Sequence, residues 1–350
     1  MNIDGNPLPP NDEDGSPEDA LQGVLFEASP WGNVNAIVQH DGRAVYFYLS
    51  GDETFGTRAC WIRNLVEAPY VISQADLESG VPPLMPRTHC SSPTGQPLPD
   101  PQSLEIVWFE EGNGAALFQE DQLIAVIPPW SGVDGFHGYS RECTAESPIA
   151  WPMIGNPMLL KRIDRAREFW QTCASEADHP FKILQPQLLE LYRSCFDGRE
   201  EYFTLDAGQF PPRGAALYRR NDSMILISVG MSLRAMPNVE LSVEHPQELR
   251  RIELAIKLPP DVEDDLLQAV LAQFSGLVSW PWIGYTWFGT GHTCEMTSLQ
   301  GIFGSNAGSV TMTGHEKIKP TFGLRMPAFR DDSIQLLWLS PSSENEETDN

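Results

Sequence analysis

Proline and glycine interrupt this chain so often that a bundle of long helices cannot be built from it. Thirty Pro and 28 Gly stand among 350 residues. Proline removes a backbone donor and glycine ends regular structure, so the pattern predicts many short elements joined by turns. Hydrophobic residues make up 41% and charged residues 20%, the mixture of a folded globular protein with ample core material. The length suits two ordinary domains.

Charge narrows the partners. There are 48 acidic residues against 23 basic ones, a formal net charge of −25. A field of that sign repels phosphate backbones and anionic membrane surfaces, and it draws in a basic protein partner. The expectation is therefore a protein partner, with no nucleic acid and no membrane; solubility alone is the bland alternative. Residues 1–20 have neither the basic start nor the apolar stretch of a signal peptide. No window approaches the ~20 apolar residues of a membrane helix. The six cysteines (Cys60, Cys90, Cys143, Cys173, Cys195, Cys294) form no CxxC, so reduced thiols in the cytoplasm are expected.

Along the chain, polar acidic segments at 1–20 and 342–350 read as disordered tails. The first half is β-rich. Strand-like runs at Asn35–Gln39 and Ala44–Leu49 flank Asp41-Gly42, a tight-turn pair. A meander follows in Leu104–Phe109, Ala115–Phe118 and Gln122–Ile127, with turns at Glu110–Gly114 and Gln119–Asp121. The stretch Ser79–Pro101 reads as a long loop. Apolar residues at Leu159, Ile163, Ala166, Trp170 and Cys173 predict a helix opened by Pro157, with Lys161, Arg162, Arg165 and Arg167 mostly on its other faces. A shorter helix follows on Leu184, Leu188, Leu191 and Cys195, stopped by Asp197-Gly198. The second half mixes strands (Met224–Val229, Arg251–Leu258, Ile334–Leu339) with a helix that begins at the carboxylates 261–265 and closes at Gly276.

Four phrases of this second half come in a telling order: Ser228-Val-Gly-Met-Ser with Met236-Pro237 after it, Ile252-Glu-Leu-Ala-Ile-Lys-Leu-Pro259, Trp280-Pro followed by Thr286-Trp-Phe-Gly-Thr-Gly-His-Thr293, and Ile334-Gln-Leu-Leu-Trp-Leu-Ser-Pro341 running into Glu344, Glu346 and Glu347. Together they resemble the suppressor-of-fused domain family, in particular its bacterial members, over residues 165–347. The resemblance implies an α+β fold without enzymatic activity that holds another protein. In bacteria it implies an immunity or antitoxin role against a toxin. The animal relative carries a different additional domain, so its peptide groove is not carried over. The first half resembles no family. The expected architecture is α+β in two domains: a β-rich domain at 21–157 and a suppressor-of-fused-like domain at 158–341, with a central mixed sheet flanked by helices.

Catalytic and metal signatures are thin. His292 and Cys294 could share one strand face, but no second pair completes a zinc set, so no metal and no cofactor are expected. There is no GxSxG elbow and no Walker A loop, so no catalytic residue is assigned. Aromatic density is the stronger signal. Trp280, Trp282, Tyr285 and Trp287 crowd one segment, with core filling as the bland reading and interface anchors as the sharp one. Trp130 and Phe136, in a loop with Gly132 and Gly135, are a second candidate pair. Met231 of the turn phrase, with His292 and Glu295 beside the GHT turn, completes the candidate contact set. The alternatives are an enzyme of unfamiliar type, with His137 or His292 as a base in the cleft between the halves, and a scaffold in a larger assembly; oligomeric state is left open.

Overall fold

The structure, a computed structural model, describes residues 22–153, 157–208, 210–314 and 324–341. The two acidic tails fall outside the described residues. The chain is α+β, with three sheets and few helices.

The first sheet is an antiparallel meander of β1 (Gln22–Ala28), β2 (Asn35–His40), β3 (Ala44–Ser50) and β4 (Thr57–Asn64), and the short helix α1 (Gln74–Ser79) follows it. The Asp41-Gly42 turn is present. The Asp41 carboxylate accepts from the backbone N–H groups of Arg43 (2.8 Å) and Ala44 (2.9 Å), which closes the hairpin. The second sheet contains β5 (Leu104–Trp108), β6 (Ala115–Gln119), β7 (Gln122–Ile127) and the short β8 (Tyr139–Ser140) and β9 (Trp151–Pro152). Side chains on this sheet serve two cores. Ile106, Leu117, Ala125 and Ile127 join Phe47, Trp61 and Ile62 of the first sheet in one core. Val107, Phe118 and Val126 face the other way, onto Leu159, Ile163 and Ala166 of the helix α2 (Pro157–Ala174).

The third sheet has eight strands. Its spine runs β10 (Arg199–Thr204), β11 (Gly214–Arg219), β12 (Met224–Val229), β13 (Arg251–Leu258), β17 (Asp332–Pro341), β15 (Ser309–Gly314), β14 (Thr293–Glu295), and β16 (Ala328–Phe329) pairs with β17. Only β13 and β17 are parallel, so the sheet is mixed. One face (Ala216, Ile225, Ile227, Trp338) packs on Phe169 of α2 and on Leu184, Leu188 and Tyr192 of α3 (Pro180–Cys195). The opposite face (Leu217, Leu226, Leu254, Ile256, Leu337) packs on Leu267, Val270, Phe274, Val278 and Trp282 of α4 (Asp264–Ile283). A strand covered on both sides has no use for polar alternation, and this is why Met-Ile-Leu-Ile-Ser-Val reads as an unbroken apolar run. Burying one such Leu or Ile stabilises the fold by about 1.5–3 kcal/mol.

Two expectations are corrected. Helix α4 does not close at Gly276 but continues to Ile283. A Cβ at Gly276 would meet nothing within 4 Å, so this glycine lies on the open side and costs only about 1 kcal/mol of helix propensity. Val278 and Trp282 carry the buried stripe past it. By length and composition α4 is also apolar enough to cross a membrane, contrary to the sequence reading, although its stripe packs against the sheet as a core helix does.

Candidate functional site

The two halves meet along α2, whose first turns serve the second sheet while Phe169 serves the third. Tyr285 also packs into the first-half core and Trp31 against Phe169, and beside these contacts lies an ionic network. The β5–β6 turn presents Glu110 and Glu111, only 5% and 4% exposed, to arginines from later in the chain. Glu110 accepts from Arg165 (3.2 Å), Arg330 (3.3 Å) and Arg251. Arg251 and Asp332, both fully buried, pair at 2.8 Å, and Asp332 also accepts from Arg165 (2.8 Å) and Arg250 (2.6 Å). Arg162 divides its guanidinium between Glu111 (2.6 Å) and Glu240 (2.8 Å). Burial alone would raise the Glu110 carboxyl, but the charges of Arg251, Arg165, Arg330 and Arg250 outweigh it and hold the group down at about 2. Arg162 and Arg165 therefore lie in a buried network, where the sequence pattern had set them apart only as off the apolar stripe.

Beside this network the chain leaves β7 through Pro128–Gly138, a loop folded back on itself. Gly132 N donates to Phe136 O (2.8 Å) and Phe136 N to Val133 O (2.9 Å). Gly132 (φ 93°) and Gly135 (φ 74°) take the left-handed backbone that this reversal needs. The loop and its surroundings border an open cavity of about 460 Å³ at the junction of the halves. Trp130, Phe136, Tyr139 and Trp151 wall it from the first half, and Arg162, Glu240 and Leu241 from the second. Phe136 packs at 4.8 Å from Tyr139 and edge-on at 4.9 Å from Trp151. Arg162 lies 5.1 Å over the Trp130 ring, so the same guanidinium ties network and cavity together. Val133 and Leu241, 41% and 46% exposed, leave apolar surface open beside these rings. Asp134 also lines the cavity.

The structure separates the remaining candidates. Met231 (1% exposed) and Trp282 (3%) belong to the core under the third sheet, and Tyr285 (8%) packs into the first-half core against Phe55 at 4.9 Å. None of these three is a surface anchor. Trp280 is 50% exposed, Trp287 is half-buried and Glu295 is exposed. His292 rests 4.6 Å from the Trp287 ring with Nδ1 at 3.2 Å from the Trp287 carbonyl. Burial pushes the Cys294 thiol up to about 11, and no cluster of potential metal ligands occurs among the described residues. His137 lines a separate cavity of about 220 Å³ with Tyr46, Tyr48 and Ile149, so neither histidine borders the junction cavity.

The phrases that carry the resemblance converge in space. Glu253 on β13 accepts from Gly230 N (3.0 Å), Ser232 N (3.0 Å), Ser232 Oγ (2.6 Å) and Ser228 Oγ, so one buried carboxylate fastens the whole Ser228–Ser232 turn. Arg251 donates to the carbonyls of Ser232 and Leu233 from the same strand. Trp282 Nε1 donates to Ala235 O (2.9 Å), and Phe288 N contacts Met236 Sδ at 3.4 Å. These residues hold one another, which gives them a structural role. The signal missed in the sequence was Glu110-Glu111: acids at a turn read as solvated, and only the arginines of α2, β13 and the β16–β17 turn show otherwise. No family model, curated protein or solved structure matches this chain.

Proposed function

We propose that this chain is a non-catalytic protein-binding module, its second half of the suppressor-of-fused type, that sequesters a protein partner; in its concrete form it is an immunity protein that neutralises a toxin. The observation that carries the reading is the junction cavity. Four aromatic rings, Val133 and Leu241 offer apolar surface for a partner's buried side chain, and Asp134 adds negative charge beside it while Glu240 is paired with Arg162. That combination suits an apolar anchor flanked by a basic residue, and the net charge of −25 favours encounter with a basic partner. The division into domains at 157/158 and the cytoplasmic setting belong to the same proposal.

The test is affinity capture from the native host with the full chain, in parallel with Val133→Asp and Leu241→Asp. Both positions are exposed, so the variants keep their melting temperature. A partner held by the wild type and lost by both variants supports the reading. Equal recovery on all three baits removes the cavity from binding, and no specific partner on the wild type removes the function.

A further inference from the structure

Arg234 follows the Ser228–Ser232 turn and is only 6% exposed. Its guanidinium lies 3.8 Å over the Trp31 ring and 4.3 Å over the Trp282 ring. Both rings are fixed, Trp31 Nε1 by Glu110 O (3.0 Å) and Trp282 Nε1 by Ala235 O (2.9 Å). Arg234 Nε and Nη2 are buried and have no hydrogen-bond partner. These two nitrogens are adjacent and share one edge of the guanidinium, the edge whose parallel N–H groups match two oxygens of a carboxylate or phosphate. Arg213 is close enough for its charge to act on Arg234; its Nε is likewise buried and unpartnered, while Nη1 donates to Ser279 Oγ.

In the junction network every buried arginine meets carboxylates; here two arginines of a chain with net charge −25 form no ion pair among the described residues. Stacking between two rings recovers part of the hydration that a guanidinium loses on burial, but it satisfies no N–H. Burial, and after it the charge of Arg213, pushes the Arg234 pKa far down. Arginine keeps its proton in proteins, so the shift expresses a missing counter-charge.

We propose that Arg234 and Arg213 form an oxyanion-binding site, in which a carboxylate or phosphate group of a ligand takes the Nε–Nη2 edge of Arg234 with Arg213 Nε as the further donor. Arg213 is half-exposed and gives the approach.

The probes are inorganic phosphate and acetate, titrated into the full-length protein at constant ionic strength against chloride, with the melting temperature as the readout. The wild type should show a saturable rise of several degrees in at least one oxyanion and none in chloride. A larger response to phosphate or to acetate identifies which group the natural ligand carries. Arg234→Met keeps an aliphatic stem between the two rings and should abolish the rise. Arg234→Lys keeps the charge without the fork and should weaken the half-saturating concentration at least tenfold. Should neither variant fold, Arg213→Met at the half-exposed position should weaken it severalfold. A wild type that treats all three anions alike overturns the site, as does an unchanged titration in the variants that fold.

Discussion

Replacing Glu110 by Gln keeps the shape of the side chain and removes one charge from a site that faces three arginines. Arg251 (0% exposed) keeps Asp332 but loses its second carboxylate, and losing one member of a buried ion pair costs about 3–5 kcal/mol. Proton linkage gives an independent figure. The carboxyl is held from its ordinary 4.5 down at about 2 in a nearly fully buried position, which corresponds to about 3 kcal/mol of stability. For a depressed carboxylate that stability is complete above the unfolded value and is lost as pH falls through the folded one, so here the window runs from 4.5 to about 2. Urea unfolding of wild type and Glu110→Gln should therefore differ by about 3 kcal/mol near pH 7, and the gap should narrow by about 2 kcal/mol near pH 3. Taking the difference between the two proteins cancels the titration of the other carboxylates. A gap under about 1 kcal/mol, or one of constant size across that range, would refute the view that Glu110 is a charged partner of Arg251.

Removing residues 1–157 takes away Glu110 and Glu111 together, so a 158–350 fragment should unfold at a markedly lower urea concentration than the whole chain; an unchanged midpoint would show that the network contributes nothing to the second half. Glu253→Gln places an amide NH2 among four donors and should cost about 1–3 kcal/mol by thermal or urea unfolding. Chelation should leave the melting temperature unchanged, because His292 and Cys294 gather no further ligand among the described residues; a drop of several degrees would reinstate a metal at that turn. Once a partner is found, salt should slow its association far more than its dissociation, because exposed charges are screened over roughly 10 Å at 0.1 M.

What could be read in the residues follows physical type. Strand β13 and the helices α2 and α3 were legible because one periodic apolar face determines each. Strand β10, with Arg199, Glu200 and Glu201 in sequence, and the largely exposed β1 carry no such face, and their pairing to a neighbour alone makes them strands. The hairpin at Glu120-Asp121 was readable as a turn although both residues sit at positive φ (48° and 61°) without a glycine. Two of the nine residues that line the candidate site were visible, since Trp130 and Phe136 stand out on either side of Gly132 and Gly135. Tyr139, Trp151, Arg162, Glu240 and Leu241 come from separate segments, and no local pattern announces that they converge. Among Trp280, Trp282, Tyr285 and Trp287, density alone could not separate anchor from core, because burial depends on which way the end of α4 turns.

The ion pairs between the β5–β6 turn and the end of the chain also set an order of events during synthesis. Glu110 waits 220 residues for Arg330, and Asp332, the acceptor shared by Arg165, Arg250 and Arg251, opens the last described strand. While the chain is still emerging, the first two sheets can collapse locally, but Glu110 meets its last arginine, and Arg165, Arg250 and Arg251 meet Asp332, only when the segment from Arg330 docks. A chain cut short before Arg330 therefore carries a defect that reaches back into the first half. Such a product should be recognised as unfinished by proteases and chaperones well before its missing residues could matter to any partner.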